Sequence, residues 1–265
     1  MLSALPAGLA VGSGGVIGLV LGLIGGGGSI LAVPLLIYAV GMASPHAAIG
    51  TAAVAVAVNA ATSLGLHARR SKIRWPCAVV FSAAGIAGAF AGAAIGKAAD
   101  GQKILAGFGL LMILVGIMML RPRTQPDHPS PWLTWQTMPQ LAPRLVGLGA
   151  GVGLLSGIFG IGGGFLIVPG LMFAARMPIA EAASASLVAV TAFGIASASS
   201  YAWSGLVDWP IALLLVAGGA VGAIAGTRLN NVLSQRRDML ARIFALFVIA
   251  AGLYVTGRGA LTLLA

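Results

Sequence analysis

Residues 22–36 read GLIGGGGSILAVPLL, a glycine run that opens an apolar stretch containing one proline. The pattern returns at 157–171 as GIFGIGGGFLIVPGL, and sliding the chain on itself by about 135 residues matches Gly22, Gly25, Gly27, Gly28, Leu31, Val33, Pro34 and Leu36 with like residues. Farther out, at a shift one smaller, IRWPCA (73–78) meets VDWPIA (207–212), and Gly85, Gly88 and Gly92 meet Gly219, Gly222 and Gly226. The chain reads as a duplicated unit. Its copies are separated by a proline-rich connector, RPRTQPDHPSPWLTWQTMPQLAPR (121–144), whose Trp132 and Trp135 suit a membrane interface better than a helix. The expected division is a first repeat over 1–120, the connector over 121–144 and a second repeat over 145–265.

Lipid must be the solvent for most of this chain. The residues AVILMFWYC make up 59% of its 265 positions and DEKR only 8%, against about a quarter charged in an average soluble domain. Ten apolar stretches, near 5–24, 30–42, 47–66, 77–96, 104–120, 145–159, 165–175, 182–203, 210–227 and 240–257, fall five on each side of the connector. A net charge of +10 would suggest nucleic acid in a soluble protein. Here the bases sit in short loops between apolar runs, where they set topology and meet anionic headgroups. Membrane lipids are therefore expected partners and nucleic acid is not. The lone Cys77 makes no intrachain disulfide and supplies no metal-ligand set. The opening MLSALPAGLAVGS has no base ahead of its apolar run, so a cleaved signal peptide is not expected.

Two of the stretches are too short to cross as helices. Ile30–Val40 and Phe165–Ala175 would each be about 16 Å long, roughly half of a 30 Å hydrocarbon core. Each follows a glycine cluster, which predicts a helix, a break and a half-helix. Such a break inside lipid has to be buried in protein or line a wet cavity. If each short segment forms a hairpin with its predecessor, or both span, the second half is inverted relative to the first. With the N-terminus outside, Arg69, Arg70, Lys72, Arg74, Arg121, Arg123, Arg144, Arg176, Arg228, Arg236, Arg237 and Arg242 then fall inside and only Lys97, Lys103 and Arg258 outside. If the pair makes a single crossing the repeats are parallel, and the split drops from twelve against three to about eight against seven. The matched loops agree with inversion, because RRSKIRWP is basic whereas SGLVDWP has one acid and no base. The expected fold class is an all-α polytopic membrane protein with two inverted-topology repeats of about five helical segments each, containing glycine-broken half-helix hairpins. The expected location is the inner membrane, with both termini outside.

A helix N-terminus exposes unpaired N–H groups and roughly half a positive charge, so it holds a small anion without a basic side chain. Glycine lets the ligand reach the backbone. Gly25, Gly26, Gly27, Gly28 and Ser29 in the first copy, with Gly160, Gly162, Gly163 and Gly164 in the second, are candidates for substrate binding. The competing reading is close helix packing. A dinucleotide fingerprint with Glu181 fails on context, since no strand–helix–strand unit surrounds it and the other copy has His46 instead. Hydroxyl and amide residues cluster on the next long segment of each half, in GTAAVAVAVNAATS (50–63) and ASASLVAVTAFGIAS (183–197). Thr51, Asn59, Ser186 and Thr191 are candidate donors to an oxyanion, and the matched Thr51 and Ser186 are expected to face one shared point. Thr62, Ser63 and Ser197 suit helix–helix contact better. No Asp, Glu, Lys, Arg or His lies near the middle of any apolar stretch, so proton coupling would use the substrate's own proton, another ion or the membrane potential. His46 and Glu181 occupy matched positions at the starts of their segments, where an acid ordinarily favours the helix dipole. The rows Gly88, Gly92, Gly96 and Gly218, Gly222, Gly226 fit close helix contact within the monomer or between the protomers of a homodimer. Trp75 and Trp209 read as interface anchors.

The twin glycine–proline signatures, each followed by a small-residue helix start, resemble the TauE/SafE sulfite-exporter family of membrane anion transporters over essentially the whole chain. The resemblance implies a secondary carrier for a small anion of the sulfite, thiosulfate, sulfonate or carboxylate kind. Neither a catalytic nucleophile–base pair nor a metal cluster is visible, and the reading calls for no cofactor and no enzyme activity. The alternatives are a passive anion channel, a membrane-embedded enzyme acting on a thiol or lipid-linked substrate, and a non-transporting scaffold. A scaffold would have no reason to duplicate a backbone break.

Overall fold

The computed structural model describes residues 4–24, 26–68, 73–120, 137–160, 162, 164–232 and 237–264. Its helices are α1 (Ala4–Ile24), α2 (Ala32–Pro34), α3 (Pro45–Ala68), α4 (Trp75–Ala98), α5 (Gly101–Leu120), α6 (Met138–Phe159), α7 (Gly164–Ala175), α8 (Ile179–Trp203), α9 (Trp209–Val232) and α10 (Arg237–Leu264). A 3-10 turn, Gly26–Leu31, and a π turn, Leu35–Ala39, flank α2. No strand occurs among the described residues. Eight helices are long and apolar enough to cross a membrane, and the chain is an all-α multi-pass membrane protein. Lipid offers no partner to backbone N–H and C=O groups, so apolar runs of this length close their hydrogen bonds internally as helices. Trp132 and Trp135 lie outside the described residues, but α6 begins at Met138 and so takes in the last part of the expected connector. Pro139 sits in its first turn, where a missing N–H removes no intrahelical bond.

Glycine contacts fix the direction of each helix. In α1, Gly14 lies against Leu215 of α9, Gly18 against Gly219 and Gly22 against Ala223, so α1 and α9 are parallel. In α6, Gly149 lies against Phe81 of α4, Gly153 against Gly85 and Gly157 against Ala89, so α4 and α6 are parallel as well. A Cβ at Gly18 would stand 2.0 Å from the Gly219 carbonyl oxygen, and one at Gly153 would stand 2.1 Å from that of Gly85. Both glycine rows are thus accounted for by contacts within the chain. Thr51 meets Asp208 and Asn59 meets Gly219, which makes α3 parallel to α9. By the same logic Phe193 on Gly85 and Tyr201 at Gly96 make α8 parallel to α4. Gly50 lies at Leu206 and Gly194 at Ala57, so α3 and α8 cross in opposite directions. The outer pair α5 and α10 is antiparallel, with Gly109 at Thr256 and Gly116 at Ile249.

Helices α1, α3 and α9 therefore run one way and α4, α6 and α8 the other. The first long helix of each half packs on the third long helix of the other half, and matched helices point in opposite directions. Because α1 and α3 are parallel, the chain between them has to return the full length of α1. Gly28 confirms the reversal by lying back against Leu21 and Ile17. The stretch after α6 behaves alike, with Gly160 at Ile49 and Gly170 back beside Val152. The short segments thus make the return by combining a brief α-helix with 3-10 and π turns in the first half and left-handed glycines in the second.

The charges sort by end. The starts of α4, α6, α8 and α10 carry Arg74, Arg144, Glu181 and Arg242, and Arg228 lies near the end of α9 on that same side. Lys97, Lys103, Asp208 and Arg258 lie at the opposite end. Helices α3 and α8 are the most buried of the long helices and form the centre. The ring around them turns apolar side chains outward, as lipid contact requires: Leu110, Phe173, Leu213 and Val221 are all largely exposed, as are Trp75 and Trp209 at the starts of α4 and α9.

Candidate functional site

The two breaks are built differently. After α1 the chain winds tightly through Gly26, Gly27, Gly28 and Ser29, passes through α2, and widens into the π turn immediately beyond Pro34. That turn is closed by the Val40 N–H, which donates five residues back to the Leu35 carbonyl at 3.0 Å. The second break is a left-handed stop. Gly160 caps α6 at φ +63° and Gly162 follows at φ +66°, a region that side-chain-bearing residues enter only with strain. Gly164 then opens α7 and is buried. Gly162 lies beside Val56 and Val190, near the middles of α3 and α8, and the Gly26–Leu31 turn packs directly against α7. Gly162 therefore lies at half depth, whereas Gly160 lies near the start of α3, and Gly22, just ahead of the first break, lies beside Thr227 near the end of α9. Gly25 and Gly163 lie outside the described residues. Gly28 faces α1, where a Cβ would stand 2.5 Å from the Leu21 nitrogen, so close packing is a sufficient reason for that glycine.

The candidate hydroxyls are not brought to one point. Thr51 is buried, and its Oγ1 accepts the Asp208 N–H at 2.9 Å, joining α3 to the start of α9. Ser186 lies fifteen residues before Tyr201 on the antiparallel α8, which places it about 22 Å from the level of Thr51. The expectation of a shared point overlooked that residues near the starts of two antiparallel helices end up at opposite ends. Ser186 donates to the Ala183 carbonyl and Thr191 to that of Leu187, both at 2.8 Å. A hydroxyl has a single O–H, so these side chains have no proton left for an anion in this arrangement. Thr62 does the same toward Val58 at 2.9 Å.

Asn59 differs from all of these. It is fully buried near the middle of α3, and neither its Oδ1 nor its Nδ2 has a protein partner. Its amide fills the notch left by Gly219, where a Cβ would be 1.9 Å from Nδ2. On the other flank Phe193 fills the notch left by Gly85, the counterpart of Gly219, and stacks on Phe81 at 6.0 Å between ring centroids. One half therefore presents an amide where the other presents a ring. Ser82, Ser156 and Ser197, on α4, α6 and α8, are also buried with partnerless hydroxyl oxygens. Sequence reading assigned Ser197 to helix contact and did not single out the other two, because serine in an apolar helix is commonplace. Among the described residues no group of three His, Cys, Asp or Glu could hold a metal ion.

Two glycine breaks, in helices whose matched partners run oppositely, mark the two halves, and residues 10–255 match the family described as Sulfite exporter TauE/SafE. The chain belongs to the TauE/SafE family. It is similar to a probable membrane transporter protein of Xylella fastidiosa strain 9a5c, with 47% identity over 96% of this chain and 97% of the relative. It is also similar to the probable membrane transporter protein YunE of Bacillus subtilis, at 27% over 91% and 96%. A third relative is the probable membrane transporter protein MJ0441 of Methanocaldococcus jannaschii, at 27% over 87% and 89%. No solved structure matches.

Two charged contacts in this TauE/SafE chain went unread in the sequence. Arg74, at the start of α4, pairs with Glu181 in the first turn of α8, tying the first half to the second. At the opposite end the matched positions are Asp208 and His46, so the charges are exchanged; His46 Nε2 donates instead to the Ala99 carbonyl at 3.1 Å. That exchange of sign at matched positions was the available signal. Lys97, read only as a topology charge, donates to the Ser200 carbonyl at 3.1 Å and to the Ser200 and Ser204 hydroxyls at 3.0 Å each. A cation on the last carbonyls of α8 is favourably placed in the helix dipole.

Proposed function

We propose that this membrane transporter is a secondary carrier that moves a small sulfur oxyanion or organosulfur anion across the cytoplasmic membrane. The observation that carries the reading is the fully buried Asn59 amide, which has no protein partner and lies one turn along α3 from Val56, beside which Gly162 of the second break sits at half depth. Backbone donors freed at a break and the Asn59 amide are neutral donors. Such donors suit an anion that has to bind and leave again. The opposed directions of matched helices support inverted-topology repeats, in which the halves rock about a site on their common axis. The end bearing Arg74, Arg144, Arg228 and Arg242 is then cytoplasmic, and both termini are outside.

The test is uptake by the purified chain in liposomes, with labelled sulfite, thiosulfate and a simple sulfonate. A carrier gives saturable flux and counterflow. Flux that rises linearly without counterflow would replace this reading with a channel, and chemical conversion of the anion without a gradient would replace it with an enzyme.

A further inference from the structure

A carboxamide has two N–H donors and a carbonyl oxygen that accepts, and at Asn59 both ends lack a protein partner in full burial. The amide rests on Gly219 of α9 and lies one turn along α3 from Val56, which borders Gly162 of the second break. A bare oxyanion offers only acceptors. It would take the Nδ2 protons and leave Oδ1 unpaired beside negative charge, whereas a ligand that also bears an O–H satisfies both ends. The counterpart position supplies no substitute, because Phe193 covers Gly85 there. Ser186 and Thr191 already commit their protons to their own helix.

We propose that Asn59 selects for an oxyanion carrying its own hydrogen-bond donor, an O–H either on the oxyanion itself as its protonated monoanion or on the carbon chain. This rests on the anion-carrier reading above. An unpaired buried acceptor disfavours the donorless ligand by about tenfold. In the first case the proton crosses on the ligand, which fits the absence of ionisable side chains from the middle of the apolar segments.

The experiment is calorimetry on the full chain in lipid nanodiscs. One arm compares 2-hydroxyethanesulfonate with ethanesulfonate. The other compares inorganic sulfite above and below its last ionisation, with ethanesulfonate as the control for effects of pH on the protein. A preference of about tenfold in the first arm assigns the donor to a carbon hydroxyl, and one in the second arm assigns it to the acid proton. Asn59→Leu, shown to be folded by its size-exclusion profile, should abolish whichever preference is found. Equal affinities in both arms for the parent chain overturn the proposal without recourse to a variant, as does a preference that survives Asn59→Leu. Binding of no anion at all would instead remove the carrier reading, and the inference with it.

Discussion

Breaking the Arg74–Glu181 pair should loosen the two halves at one end only. The Arg74 side chain is 8% exposed and that of Glu181 33%, so the guanidinium is enclosed while the carboxylate keeps part of its hydration. Two unit charges about 4 Å apart attract by about 4 kcal/mol at an effective dielectric constant near 20. Desolvation of the arginine and solvent screening of the glutamate reduce the net coupling to about 1–3 kcal/mol. Glu181→Leu and Arg74→Met should each destabilise by about that amount, Glu181→Leu the more because it leaves an enclosed cation behind. The double variant Arg74→Met, Glu181→Leu should recover most of the loss, since an apolar pair needs no compensation. The assay is a double-mutant cycle by reversible SDS unfolding in mixed micelles, with His46→Ala at the matched position of the opposite end as the comparator. A coupling energy below about 0.3 kcal/mol would show that the pair contributes no stability and that the halves are joined at that end by packing alone.

Gly18→Leu should prevent α1 from seating on α9 and abolish folding, because its Cβ alone would lie 2.0 Å from a backbone oxygen; Gly151→Leu, with nothing within 4 Å, should leave the size-exclusion profile unchanged. Thr51→Val, which removes the acceptor for the Asp208 N–H, should destabilise by about 1–3 kcal/mol in the same unfolding assay, whereas Ser186→Ala should stay within about 0.5 kcal/mol. In a Cys77→Ala background, a single cysteine replacing Lys103 should react with an impermeant thiol reagent on intact cells and one replacing Arg228 should not; the reverse pattern would place the arginine-rich end outside.

What the sequence determined by itself was the lipid solvent, the helical class, the duplication and the positions of both breaks. Each is a local or compositional property. A low share of charge excludes water, long apolar runs close their own hydrogen bonds, and GLIGGGGSILAVPLL marks a place where a helix cannot continue smoothly. Even the dense glycine rows announced close contact, although not with whom. The site was less legible. Thr51 and Ser186 match in sequence, but the opposed directions of α3 and α8 carry them to opposite ends, and direction is fixed only by which residues touch. Ser186 and Thr191 bond to their own helix, and Asn59 keeps an unpaired amide because Gly219 makes a notch for it across a helix boundary. Likewise Arg74 and Glu181 are far apart in the chain and become a pair only when α4 is laid beside α8. A hydrogen bond or an ion pair depends on separations of a few ångströms, which helix periodicity does not encode across elements, so tertiary packing alone decided which polar groups were left for a ligand.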